Sequence, residues 1–432
     1  MRLLFSIVAA LLMATPTSAQ PFAPAAASST PDLTARVNGL VLLFNGGGDF
    51  DNYFAPVFRA AITRAQLQHL IAQYSGLYGK ATAIERVEPS SPWLAAVRIA
   101  YERGTVTVLI AIDPKPPHQA TGLRITGSDP KNDSLSKLDQ DFSKLAGTSG
   151  YGIYALDTDA PTPIHEVNGE RTAPLGSAFK LWVLAEVARQ VATGERRWSD
   201  VVPVGPPSLP SGVLQTWPAG TPMTLQALAT LMISISDNTA ADTLLTTLGR
   251  DKVDAMVATL GTANPARAIP VLTTHEMFAI KSARADIALA WPDASPEGRR
   301  KLLADNRMTL AATLINGEAF RNGPIFSETV EWFASPRDEA RTLDWLRLHG
   351  GDTTLAILAV SPGIQESIKA NFAYLGFKGG SEPGVIALNY LVRTKAGRWF
   401  AVTANWHRSD SDVEAITFSA LVDRALRLAE RQ

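Results

Sequence analysis

Ser177 and Lys180 stand three residues apart in Pro174-Leu175-Gly176-Ser177-Ala178-Phe179-Lys180-Leu181-Trp182-Val183-Leu184, at the point where an apolar run begins. In a helix, residues i and i+3 share a face, so the hydroxyl and the amine become neighbours one turn apart. A helix start also offers unpaired backbone N–H groups and the positive end of the dipole. A serine that gives up its proton, attacks a carbonyl and faces an oxyanion needs such surroundings. Serine at a helix start is equally an ordinary cap. The lysine is harder to explain that way. It sits among Phe179, Leu181, Trp182, Val183, Leu184, Val187 and Val191, a pattern apolar nearly all round. Burying an ammonium there is costly unless it has a partner or a task. Gly194 supplies the stop signal.

Two more polar stretches have chemical and plain readings. Ser236-Asp237-Asn238 separates a helical pattern (Leu225, Leu228, Met232, with Thr224 as its cap) from a second (Ala241, Leu244, Leu245, Leu248). Ser236 or Asp237 could simply cap the second helix. Alternatively, Ser236 shuttles a proton and Asn238 binds substrate through its amide. Further on, Lys378-Gly379-Gly380-Ser381 precedes strand patterns at 385–393 and 399–406, which a turn at Lys395-Ala396-Gly397 joins. Here the small residues, Gly380 among them, let a substrate lie against a strand edge, with the Ser381 N–H free to donate. The plain reading is a glycine-rich hairpin with an exposed lysine.

Two α+β domains must carry these residues. In the first, 32–128, Leu33, Val37, Leu40, Val41 and Phe44 repeat at helical spacing. Thr63 and Gln66 form a capping box before a second helix. Strand patterns follow at 81–87, 94–101, 105–112 and 121–126, with a hairpin signal at Glu102-Arg103-Gly104. Helices followed by a meander predict a curved sheet with helices on one face. That order resembles the cone-shaped fold of steroid isomerases and polyketide cyclases. His69 and His118 are isolated, and no acid–base set converges here, so a structural or substrate-shaping role is expected. The turn cluster Gly127-Ser128-Asp129-Pro130 marks the boundary. The second domain, 130–432, opens with a helix (Leu135, Leu138, Phe142, Leu145) and two strands near 150–157 and 164–167. It closes with a helix over 412–430. A helical insertion is expected at about 281–370, where Pro292, Pro296, Pro324 and Pro336 interrupt the pattern.

The chain has 432 residues, 46% hydrophobic, with formal net charge −1 and no cysteine. Near-neutral charge gives no footing for nucleic-acid binding. The absence of cysteine excludes disulfides, thiolate metal sites and cysteine nucleophiles. Arg2, the apolar run Leu3 to Met13 and the small residues Thr17-Ser18-Ala19 read as a secretory signal over 1–19. The run is too short to span a bilayer, and an uncleaved anchor is the alternative. An Ala/Ser/Pro-rich leader, 20–31, follows. A secreted, periplasmic protein with no stable membrane anchor is the expectation. No G-x-S-x-G elbow, H-E-x-x-H or ligand-spaced His/Asp cluster is present, so no metal and no cofactor are expected.

Ser177-x-x-Lys180, Ser236-Asp237-Asn238 and Lys378-Gly379-Gly380, in that order, resemble the three motifs of class A β-lactamases and penicillin-binding proteins. With the small domain in front, the layout is similar to the two-domain β-lactamase-like esterase of the clavulanic acid cluster. The resemblance covers about 130–432 and implies a β-lactamase/transpeptidase-like fold, an antiparallel sheet packed with helices. It implies an acylated nucleophile at Ser177, with Lys180 as base and Ser236 assisting. Asn238, Lys378, Gly380 and Ser381 would hold a small-molecule substrate, and the Ser177 and Ser381 N–H groups would form an oxyanion hole. Two departures stand out. Gly379 replaces the usual Thr or Ser. The loop expected to carry a deacylating glutamate is read as Thr262–Leu272, which has no acid; Glu276 lies beyond it as a first-turn residue. The expected activity is hydrolysis of β-lactam or ester substrates. The alternatives are a D-alanyl peptidase, a plain esterase, or a penicillin-binding sensor that stays acylated.

Overall fold

The computed structural model describes residues 29–157, 159–218, 220–364 and 366–432. The segment 1–19, expected to be a secretory signal, and most of the expected leader lie outside the described residues. The chain divides into two compact units, meeting at Lys131 and Asn132.

In the first unit, Thr63 and Gln66 form the expected capping box, and the helix α1 (Arg64–Tyr78) follows. Four strands succeed it: β1 (Ala81–Ser91), β2 (Leu94–Tyr101), β3 (Gly104–Ile112) and β4 (Ala120–Pro130). They form an antiparallel meander in sequence order. Period-two alternation works as the pattern requires: Ala95, Val97, Ile99 and Tyr101 are buried, as are Val106, Val108, Ile110 and Ile112. Gly127-Ser128-Asp129-Pro130 is a correction. It is not a turn but the end of β4, paired with Gly104 to Thr107 of β3. Ladder hydrogen bonds outweigh local turn preference there.

The second unit is built on a five-stranded antiparallel sheet. Its strands are β5 (Thr148–Ala155), β6 (Thr162–Val167), β7 (Phe372–Glu382), β8 (Val385–Thr394) and β9 (Trp399–His407), in the order β7-β8-β9-β5-β6. Both faces are covered, so β8 reads as a nearly unbroken apolar run. On one face Ile386, Leu388, Tyr390 and Val392 pack with α2 (Leu135–Phe142) and the C-terminal helix, Ala415–Glu430. On the other, Ala387 and Leu391 meet the large helical core. At the centre of that core lies α3 (Lys180–Ala192), whose residues from Lys180 to Ala188 are all buried. It is followed by α4 (Leu225–Ser234) and α5 (Asn238–Leu248).

Most of 281–370 is helical. The reading of this stretch as an insertion needs correction for its later part, because α7 (Pro336–His349) supplies Ala340, Leu343 and Leu346 to the same core as α3. Before it, Phe333–Ala334 bridges to Ala173–Pro174, the segment leading into Ser177. The α6 helix (Thr274–Ala283) starts with a second capping box, Thr273 with Glu276. Among the described residues no helix is long and apolar enough to cross a membrane.

Candidate active site

Ser177 lies in a 3₁₀ turn, Gly176–Phe179, and the α-helix proper starts at Lys180. The spacing of three survives this correction, since a 3₁₀ turn also brings i and i+3 together. Lys180 is fully buried. Its Nζ lies 3.2 Å from Ser177 Oγ, 3.1 Å from Ser236 Oγ, 2.8 Å from the Ser236 carbonyl and 2.7 Å from Asn238 Oδ1. Two of these four oxygens, the carbonyl and the amide, can only accept. They claim two N–H bonds, and a neutral amine then turns its lone pair toward a hydroxyl. Burial pushes the Lys180 ammonium down to about 7, against the opposing pull of Asp242 and Asp237. The amine that abuts Ser177 is thus free of its extra proton for much of the time near neutral pH.

Ser236 is held at φ 56°, a left-handed conformation rare for a residue with a side chain. Strain of about 1 kcal/mol or more is usual for such positions. Here it lets the carbonyl and the hydroxyl of one residue face the same amine. Asp237 fixes this bend: Oδ1 accepts from the Ala240 N–H (2.8 Å), capping α5. Oδ2 accepts from the N–H groups of Val213 (2.6 Å) and Leu214 (3.0 Å). The cap reading of Asp237 therefore holds. Asn238 donates from Nδ2 to the Leu209 carbonyl at 3.0 Å, leaving one N–H of that amide to place. Ser211, which the sequence reading passed over, has its Oγ 2.7 Å from the Ser236 carbonyl and 3.0 Å from Asn238 Oδ1. Its only sequence signal is its place in the Pro/Gly-rich stretch 203–222, before the second motif.

The third motif arrives on β7, an edge strand and not a hairpin tip. Lys378 is buried rather than exposed. Its Nζ donates to the Gly379 carbonyl at 2.6 Å and lies 3.1 Å from Ser236 Oγ. Ser236 Oγ therefore stands between two amines. Burial, and the charge of Lys180 after it, hold Lys378 well below the ordinary lysine range. Glycine is required at two facing positions. A β-carbon on Gly380 would sit 2.0 Å from the Leu175 carbonyl and 2.5 Å from the Ser177 nitrogen. On Gly176, at φ 51°, it would sit 2.8 Å from the Ser381 nitrogen. The backbones of the nucleophile turn and the strand edge thus meet directly, which brings the Ser177 and Ser381 nitrogens to one place. These contacts link the side chains of Ser177, Lys180, Ser236, Asn238 and Lys378, and the backbones of Gly380 and Ser381 lie against the Ser177 turn.

Glu276 does not reach the site: its two oxygens lie 2.7 and 2.8 Å from Arg250 Nη2, and it closes the Thr273 capping box. Nor is Thr262–Leu272 the stretch that runs beside the nucleophile segment. That position belongs to the residues around Trp332, whose carbonyl accepts from the Leu175 N–H at 2.9 Å. They bring in Glu331, which the sequence reading did not consider.

Residues 135–322 match the model of the beta-lactamase enzyme family. No curated protein matches the chain. Among solved structures, a β-lactamase from Sphaerobacter thermophilus is 22% identical, with 69% of this chain and 99% of that chain covered and a TM-score of 0.48. A β-lactamase from Chitinophaga pinensis is 16% identical, over 68% and 97%, with a TM-score of 0.47. A mutant of PBP-A, solved as its acyl-enzyme complex with penicillin G, is 17% identical over 70% and 98%, with a TM-score of 0.45.

Proposed function

The second unit is a β-lactamase-like serine hydrolase, and from that premise we propose that the protein is exported to the periplasm and hydrolyses β-lactams or esters through an acyl-enzyme on Ser177. Ser177 Oγ attacks the carbonyl carbon while its proton passes to Lys180 Nζ. The N–H groups of Ser177 and Ser381 hold the oxyanion. As the lactam C–N or ester C–O bond breaks, the proton leaves by way of Ser236 Oγ to the departing nitrogen or oxygen. Water then hydrolyses the ester on Ser177. Lys378 and the Ser381 hydroxyl hold a substrate carboxylate, and the remaining Asn238 N–H meets an amide.

What supports this most is the contact of a buried, proton-poor amine with Ser177 Oγ at 3.2 Å. The test is intact mass spectrometry of the mature protein with a penicillin and with a fluorophosphonate, alongside turnover of a chromogenic cephalosporin, an aryl ester and a D-Ala-D-Ala peptide. One adduct is expected on the wild type and none on Ser177→Ala. An undiminished adduct on the variant would overturn the assignment. A second reading, a protein that stays acylated by β-lactams, is favoured by one observation: the engagement of Glu276 with Arg250, away from Ser177. It predicts a single burst with the cephalosporin and no further release.

A further inference from the structure

Lys281, Glu331 and Glu382 form an ion cluster whose side chains are 0%, 0% and 3% exposed. Lys281 Nζ donates to Glu331 Oε2 at 3.0 Å and to Glu382 Oε1. The second oxygen of Glu382 is buried without a partner. Taking three ionisable groups out of water costs several kcal/mol each before any pairing, and nothing in the acylation chemistry above uses them.

Their positions suggest a use. Glu382 follows Ser381, one of the two oxyanion donors, and lies on the same face of β7 as Lys378 and Gly380. That is the face that meets the nucleophile turn, as the Gly380 contact with the Ser177 nitrogen shows. Glu331 accepts the Trp332 N–H through Oε1 at 3.0 Å. Trp332 in turn receives the Leu175 N–H on its carbonyl and stacks on Phe179, with centroids 3.8 Å apart and planes 5° from parallel. One carboxylate is therefore tied to the strand that carries the Ser381 N–H. The other is tied to the segment that carries the Ser177 N–H. A single ammonium on α6 grips both.

We propose that Lys281, Glu331 and Glu382 are positioning residues that hold the two halves of the oxyanion hole at working distance. The two donors lie on chain segments about two hundred residues apart, and the glycine contact between them only prevents closer approach. The cluster supplies the opposing tie. Its charge state also suits the place. Burial, with Glu331 beside it, raises the Glu382 carboxyl well above its ordinary range despite Lys281. Burial opposes the charge on Lys281, but the two carboxylates together outweigh it and hold the amine above the ordinary lysine value. The ammonium and the two acids are thus held to one another and turned away from solvent.

This rests on Ser177 being the acylated residue, so wild-type labelling by a fluorophosphonate is the first arm. Absence of a Ser177 adduct there overturns both readings together. Glu382→Gln and Lys281→Met are the single variants. Lys281→Met/Glu331→Leu/Glu382→Leu replaces the whole cluster with apolar groups, a change that buried ion clusters often tolerate without loss of stability. Each is measured for melting temperature, for kcat and KM on an aryl ester, and for affinity toward a boronic acid, whose tetrahedral adduct places an oxygen in the hole. A folded variant is expected to lose about 100-fold in kcat, the scale of a 1 Å misplacement. Boronate affinity should fall in step, while KM stays within about threefold. If the folded triple variant keeps kcat and boronate affinity within about threefold of wild type, the cluster is only structural and the proposal fails. Acylation at the wild-type rate with an accumulating acyl-enzyme would also overturn it, because the carboxylates would then act on the deacylating water.

Discussion

The proton balance of Lys180 makes the sharpest test of the site. An ordinary lysine at 10.5 is neutral in about one molecule in 3,000 at pH 7, from 10 raised to 10.5 − 7. At the value of about 7 that burial imposes, about half the molecules carry a neutral amine. The supply of base rises about 1,500-fold, within the range of general-base help. Single-turnover acylation by an aryl ester, followed from pH 5 to 9, should therefore rise tenfold per unit at low pH and level off above about 7. Lys180→Arg, which cannot shed its proton in this range, should lose at least about 10³-fold. The same shift acts on stability. The folded value lies below the unfolded one, so between about 7 and 10.5 the unfolded chain holds a proton that the native chain lacks. This contribution is present above about 10.5, and is lost as pH falls through about 7. With the side chain fully buried, the 3.5-unit difference corresponds to a contribution on the order of 5 kcal/mol. A flat acylation profile, or an inflection near 7 that persists in Lys180→Arg, would refute the assignment of Lys180 as base.

Other consequences can be checked directly. Gly380→Ala forces a β-carbon onto the Leu175 carbonyl and the Ser177 nitrogen; kcat/KM on an aryl ester should drop at least about 100-fold, with the adduct on Ser177 slowed rather than abolished. Asp237→Asn turns one acceptor oxygen of a three-bond anchor into a donor facing backbone N–H groups, and should cost about 2–4 kcal/mol, read as a lower denaturation midpoint. Glu276→Gln weakens the Arg250 contact and should lower the melting temperature while leaving ester turnover within about twofold. With a chromogenic cephalosporin, stopped-flow traces should show a burst equal to the enzyme concentration and then slow release. Burst-free, fast hydrolysis would show that a base at the site serves deacylation after all.

What the sequence made legible was local chemistry. The capping box at Thr63 and the caps at Thr224 and Asp237 involve residues three apart, and all three form. The motif residues were equally visible, since their types are unusual where they stand. What stayed hidden depends on partners far along the chain. The β7 strand was legible only as an edge beside the third motif, because Gly376, Gly379 and Gly380 depress strand propensity, and only pairing with β8 shows its extent. The Gly127–Pro130 stretch misled in the opposite sense, as turn residues drawn into a ladder. Glu331 and Glu382 carried no local signal, because their meaning lies in Lys281. Ser211 became visible only when its loop folded over the second motif.

The strand order has a consequence in time. β5 and β6 precede the nucleophile in sequence, yet the second neighbour of β5 is β9, the last strand of the sheet to be made. The sheet stays open until Trp399–His407 has arrived, and the donor at Ser381 is placed only when β7 joins through β8. A chain interrupted between Ser236 and that point carries Ser177, Lys180 and Ser236 but lacks the completed sheet that brings Lys378 and Ser381 to them. The sheet edge that carries Lys378 and Ser381 is thus anchored through β8 and β9, the last strands to be made, to β5, the first of the sheet.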